Sequence, residues 1–122
     1  MSEIKNARIT RTTLGVEDHG ILTAFLHLEG DGWGIGFGGY ALDEPRKDAE
    51  GRHAGRFGTA YGMEWIRQVM ETLCVESWEK LPGTHVRVET QGWGGVALRI
   101  GHITKERWFD PNDRILASGG KP

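Results

Sequence analysis

Arginines stand beside aromatic rings in this chain, at Arg56-Phe57, in Arg107-Trp108-Phe109, and along the stretch from Gln91 through Trp93 to Arg99. A guanidinium fork matches phosphate oxygens two at a time, an aromatic face accepts a base, and exposed glycine amides donate to anions. Trp93 is set within Gln91-Gly92-Trp93-Gly94-Gly95, and Asn112 and Arg114 follow the Arg107 cluster. Arg107, Arg114, Trp93, Gln91, Arg99, Phe109, Asn112, Arg56 and Phe57 are therefore the candidate ligand-binding residues, of types that suit a nucleotide carrying a pyrophosphate. In the competing reading Trp93, Trp108 and Phe109 cap the core and the arginines are solvated. Charge leans towards binding: residues 87–122 hold six basic and four acidic residues, residues 1–86 nine and thirteen.

Catalytic chemistry is harder to find. The histidines at 19, 27, 53, 85 and 102 are scattered, and no cysteine pair, His-Glu-x-x-His or Asp-x-Asp calcium loop is present, so no metal or cofactor is expected. His19 beside Asp18 suits a turn, and His27 and His102 fall in strand-like segments as packed, hydrogen-bonded residues. The carboxylate pairs Glu17-Asp18 and Asp43-Glu44 fall in segments that read as solvated loops, a poor setting for an acid/base pair. Cys74, at the end of a helical segment near its apolar stripe, reads as buried. Gly34-x-Gly36-x-x-Gly39 spells the dinucleotide fingerprint but leads into Tyr40-Ala41-Leu42, without a helix or a phosphate-loop lysine behind it.

The elements that must carry these residues fit one α+β domain over 1–116, an antiparallel sheet with one long amphipathic helix and one short one, and a mobile tail over 117–122. Strands are expected over 4–13 and 21–28, with the glycine-bracketed loop 14–20 between them. Gly30, Gly32, Gly34, Gly36 and Gly38 then alternate with larger residues at the strand period. A strand over 33–42 would carry Trp33, Ile35 and Phe37 on one face and bare backbone on the other: a contact surface, or a bulged and coiled strand. Residues 43–56 are charged and poor in apolar types, which reads as an exposed loop. From Thr59, a fitting N-cap, Met63, Ile66, Val69, Met70 and Leu73 recur at helical spacing and predict a helix over 60–74. A short helical turn over 78–81 stops at Pro82-Gly83. Strands over 84–90 and 96–102 put Val86, Val88, Leu98 and Ile100 on one face and His85, Arg87 and Arg99 on the other.

Composition bounds the partners. The chain has 122 residues, a formal charge of -2, one cysteine and no apolar run near the ~18 residues of a membrane span. That balance argues against a long nucleic acid or a membrane as partner, and for a reducing cytosolic setting. Glycine, at 19 of 122, is in excess, but without a Gly-X-Y period and with only 4 prolines it indicates neither collagen nor Pro-rich disorder.

Leu14-Gly15-Val16-Glu17-Asp18-His19-Gly20-Ile21, Gly36-Phe37-Gly38-Gly39-Tyr40-Ala41-Leu42-Asp43, Gly92-Trp93-Gly94-Gly95, Arg99-Ile100-Gly101-His102 and Trp108-Phe109-Asp110-Pro111 occur in that order along nearly the whole chain. In this the chain resembles the phage Thoeris anti-defence sponge proteins of the first type. The resemblance implies a phage protein in the host cytoplasm. It would sequester, without cleaving it, the glycocyclic ADP-ribose isomer made by bacterial TIR-domain proteins. It further implies homodimers or higher assemblies with pockets between subunits, and in some members separate sites for the cyclic di- or trinucleotides of CBASS systems. In that family arginines hold the phosphates and an aromatic lies near the base, roles that Arg107, Arg114 and the hairpin-loop region fit by type. The segment 43–56 is longer than the family pattern, which sets Arg52 and Arg56 apart. Two other classes remain: a nucleotide-signal hydrolase using Asp18, His19 or His85, and a phage structural or protein-interaction module anchored by Trp93 and Trp108.

Overall fold

The computed structural model describes residues 2–91 and 97–112, so Trp93, Arg114 and the expected tail 117–122 lie outside the described residues. In chain order the elements are β1 (Ser2–Asp18), β2 (Ile21–Gly30), β3 (Trp33–Gly38), β4 (Asp43–Lys47), β5 (His53–Gly58), α1 (Ala60–Leu73), a 3-10 turn (Trp78–Lys80), β6 (His85–Gln91), β7 (Ala97–His102) and β8 (Trp108–Phe109). Six strands form one sheet in the order β3-β2-β1-β6-β7-β8, with antiparallel pairing throughout, and β4 and β5 form a separate ribbon. The domain is a single α+β unit.

β1 is the spine of the sheet. Its first half, Ser2 to Arg8, pairs with β6, and from Arg8 to Asp18 it pairs on its other side with β2. The loop expected over 14–20 is much shorter than that: the strands run on to Asp18 and restart at Ile21, leaving only His19-Gly20 as the turn. Both turn residues have positive φ, 53° and 80°. That is the backbone of the primed turns whose twist matches a hairpin, and Gly20 supplies the second position without strain. Gly15, taken as a loop glycine, sits inside the strand beside a register shift.

The pleat sends Ile9, Leu26, Leu28, Phe37, Val86, Val88 and Ile100 to one side, where α1 covers them. The helix starts where Thr59 Oγ1 accepts from Gly62 N at 2.9 Å, and ends at Cys74, whose N–H returns to Glu71 O and Met70 O from a left-handed backbone of φ 58°. Its buried residues are Gly62, Trp65, Val69, Thr72 and Leu73. Of the expected stripe, Val69 and Leu73 are buried and Ile66 packs half-buried against the core, whereas Met63 is 62% exposed. Trp65 decides the rotation. Its ring stacks on Phe37 at 5.6 Å and meets Phe109 edge-on at 5.5 Å, burying more apolar area than Met63 could. Gly62 follows on the same face, where its bare backbone lies against the Leu42 carbonyl. Cys74, read as buried, is exposed because it occupies the cap beyond the last turn.

Two further expectations change. The strand over 33–42 ends at Gly38, because Gly38 and Gly39 take φ of 126° and 87° and turn the chain away. Residues 43–56 are largely exposed, as their charge requires, yet most of them form the β4–β5 ribbon rather than a loop. Asp48 closes the ribbon: its Oδ1 accepts from Glu50 N and Arg52 N, each at 2.9 Å. Among the described residues no helix is long and apolar enough to cross a membrane.

Gly-to-Ala substitution in a helix ordinarily stabilises by up to about 1 kcal/mol. Gly62→Ala is expected to do the reverse, costing about 1–3 kcal/mol as the helix is pushed off the Leu42 carbonyl, whereas Met63→Lys should change stability by less than about 0.5 kcal/mol. Urea unfolding of the two variants checks both.

Candidate functional site

Only one face of the large sheet lies under α1. On the other face the pairings Arg87 with Gly101, Gly101 with Trp108 and Glu89 with Arg99 bring arginines and a tryptophan into adjacent positions. The alternation of Arg87 with buried Val86 and Val88 is the sequence signal for this, and His85, Arg87 and Arg99 share that face as expected.

Gly101 makes the cluster possible. The Trp108 indole lies where a Cβ on Gly101 would have to be, so the ring rests flat on bare strand. The guanidinium carbon of Arg99 sits 4.2 Å from the ring centroid and that of Arg87 4.7 Å. At these separations the ring quadrupole attracts each cation by about 0.5–2 kcal/mol. Hydrogen bonds fix the two guanidiniums in place. Arg87 Nε donates to His102 O at 2.7 Å and Nη2 to Lys105 O at 2.7 Å, while Nη1 meets Glu106 Oε1 at 3.1 Å. Arg99 Nε donates to Glu89 Oε1. Hydrogen bonds from Ser2 and Arg99 hold the Glu89 carboxyl below its usual range, so it stays ionised. His102 Nδ1 accepts from Thr104 N and Lys105 N, and burial with the nearby charges of Lys105, Arg107 and Arg87 lowers its pKa, which keeps it a neutral acceptor. The cluster is thus a pre-formed surface of paired arginines and an indole whose geometry is set by the sheet.

The other candidates are dispersed. Arg107 lies at the C-terminal end of α1, where Nη1 donates to Glu71 O at 3.0 Å and approaches Cys74 Sγ at 3.5 Å. A cation there complements the helix dipole, and Arg107 also borders a depression of about 310 Å³ with Gln68, Glu71 and Trp108. Phe109 is a core residue, 3% exposed between Trp65 and Phe37, so its ring is spent on packing rather than offered to a ligand. Arg56 is tied to buried Asp43, Nη2 to Oδ1 at 2.8 Å, which makes it a clamp between β4 and β5. That also removes Asp43 from the solvated carboxylates. Phe57, on the same ribbon, is exposed with the Arg46 guanidinium 5.7 Å from its ring. Gln91 is exposed at the end of β6, and Asn112 is exposed beyond β8, its N–H bound to Asp110 Oδ1. Arg99, Arg56 and Arg107 are thus held by different partners, Glu89, Asp43 and the C-terminal end of α1.

The groups considered for hydrolysis are also apart. His19 forms the β1–β2 turn, while His85 pairs with Arg8. Ten residues of β1 separate Arg8 from Asp18, about 30 Å at ~3.3 Å per residue. Among the described residues no group of three His, Cys, Asp or Glu side chains is placed to hold a metal.

Asp43 has a pKa lowered by its hydrogen bond from Arg56, with Leu22 N donating to its other oxygen at 3.2 Å. A carboxylate with a lowered folded-state pKa stabilises the protein above its unfolded value and loses that contribution as pH falls through the folded one. Asp43→Asn is therefore expected to lower the urea midpoint at pH 6 and to narrow the gap from wild type as pH drops below about 4. An unchanged gap would remove the ion pair from the acid limb. Comparison of the chain with family models, curated proteins and solved structures yields no match, so its function is argued from the face described above.

Proposed function

We propose that this protein is a nucleotide sponge. In this reading it binds and holds a glycocyclic ADP-ribose signal of the kind made by bacterial TIR proteins, without cleaving it, and so keeps the signal from its effector. The observation that carries the reading is the uncovered sheet face, where Arg87 and Arg99 are held against Trp108. Fixed guanidiniums suit a pyrophosphate and the ring supplies a stacking partner for a base, with side chains already ordered before the ligand arrives. The resemblance of its motif string to the Thoeris sponge proteins points the same way, as does the separation of His19 from His85.

A sponge works by mass action and needs slow release rather than turnover. Its setting in this reading is the host cytoplasm, and cyclic di- and trinucleotides form a second ligand class to be tested beside ADP-ribose isomers. Arg56 and Phe57 lie on the β4–β5 ribbon, not on the sheet that carries Arg99. In this reading they join Arg99 in one pocket when copies associate, so a homodimer or larger assembly with pockets between subunits belongs to the proposal. β1 offers an edge for such pairing. Beyond Ile9 no described strand pairs with its β6-side edge, and Leu14 and Val16 are exposed there.

Arg99→Ala is expected to weaken binding of a cyclic ADP-ribose isomer by about 1.5–3 kcal/mol, one to two decades in Kd, as read by calorimetry. Ligand incubated with wild-type protein, then released by denaturation and run on a column, is expected back intact in full yield. Recovered hydrolysis product would replace the sponge by an enzyme. A melting temperature indifferent to every cyclic ADP-ribose isomer and cyclic oligonucleotide at saturation would favour the protein-interaction module instead.

A further inference from the structure

In a regular strand, residues three apart point to opposite faces. Arg8 and Arg11 escape that rule. Arg8 pairs with Glu29, Ile9 with Leu28 and Arg11 with His27, which leaves Thr10 as an extra residue without a cross-strand partner. This bulge restores the parity, so Arg8 and Arg11 stand on the same side, the face of the sheet opposite α1. Across the sheet His85 pairs with Arg8 from β6. On β3 the residues opposite Glu29 and His27 are Gly34 and Gly36.

The two glycines differ in what lies above them. The Phe25 ring occupies the space over Gly36, whereas a Cβ on Gly34 would find only Leu28 O at 3.5 Å and Glu29 Cγ at 3.9 Å. The open strand at Gly34 forms the floor of a depression of about 450 Å³ lined by Thr10, Arg11, His27 and Glu29. A second depression, of about 300 Å³, adjoins it, sharing Glu29 and lined by Asn6, Arg8 and His85. Neither the Arg8 nor the Arg11 guanidinium makes a hydrogen bond or ion pair to a described residue, in contrast to those of Arg56, Arg87 and Arg99. Two uncommitted guanidiniums and two imidazoles thus face one carboxylate across a groove wide enough for a small ligand.

We propose that this groove is a second binding site, for a phosphate-bearing ligand whose oxygens are taken by the Arg8 and Arg11 forks, with His27 as a further donor once protonated. The site is separate from the Trp108 cluster and stands whether or not the sponge reading does. The groups that face His27 are Arg11 from β1, the Phe25 ring at 4.9 Å and Glu29 from its own strand, and only glycine from β3. Burial and then the charge of Arg11 lower the pKa of His27, so without ligand it is neutral at pH 7. An anion between Arg11 and His27 offsets the repulsion and favours the protonated ring. Binding should therefore tighten as pH falls.

The test titrates the full chain with inorganic pyrophosphate at pH 7 by calorimetry. Arg8→Ala and Arg11→Ala are each expected to raise Kd by about ten- to a hundredfold, whereas Arg67→Ala, which removes an exposed helix charge elsewhere, leaves it unchanged. Sulfate, whose charge is constant between about pH 5 and 8, then reads the histidine: its affinity rises as pH falls in wild type and is flat in His27→Asn. Far-UV circular dichroism confirms that each variant is folded. Wild-type affinity in folded Arg8→Ala and Arg11→Ala would overturn the site, as would equal losses in all three arginine variants, which would mark binding by net charge alone. A sulfate profile unchanged in His27→Asn would remove His27 from it.

Discussion

Among the described residues a six-stranded sheet meets a single α-helix on one of its faces, and the rest of this protein depends on which residues the pleat sends to each side. Apolar side chains go under α1, where Trp65, Phe37 and Phe109 interlock at centroid separations of 5.5 to 5.9 Å. Every second residue is then committed to the opposite face, and there β6 and β7 carry His85, Arg87, Glu89 and Arg99. A one-residue slip of β6 would exchange the two sets, burying the charges of Arg87 and Glu89 and exposing Val86 and Val88. The same apolar packing that stabilises the fold therefore fixes the register of the arginines.

Glycine serves this two-sided design at particular positions. Gly62 lets α1 approach the Leu42 carbonyl, and Gly101 gives the Trp108 indole a bed of bare strand. Gly34 leaves a floor open beside Arg11, while Gly38 and Gly39 turn the chain off the sheet. The period-two glycine run is thus part open backbone at Gly34, part seat for the Trp33 and Phe25 rings at Gly30 and Gly36, and part strand terminus at Gly38. Neither of the two readings open at the level of sequence covers all of it.

Much of the sheet was legible because its strands alternate: Val86 and Val88 against Arg87 and Glu89 announce both the element and its faces. The helix was legible in position and, through Ile66, Val69 and Leu73, in much of its buried face, but Met63 was placed there in place of Trp65. Spacing weighs Met63 and Trp65 alike, whereas ring packing against Phe37 and Phe109 does not. The β4–β5 ribbon was missed because its strands bury almost no side chain and so carry no apolar period; its cohesion comes from Asp48 and the Asp43–Arg56 pair. Residue types found Arg99 as a site candidate but also selected Phe109, which packing consumes. Arg8 and Arg11 were invisible because the bulge at Thr10 leaves no mark in their spacing.

The central claim is that the face opposite α1 is the ligand-binding surface, and indole NMR signals report on it directly. Trp108 lies on that face, whereas Trp65 lies on the buried side of α1 with 0% exposure. With each signal assigned by its Trp→Phe variant, titration of a cyclic ADP-ribose isomer into the full chain is predicted to shift the Trp108 indole N–H and the amides of Arg87, Glu89 and Arg99, and to leave the Trp65 indole in place. Shifts confined to α1 and Trp65, or none at saturating ligand, would contradict it.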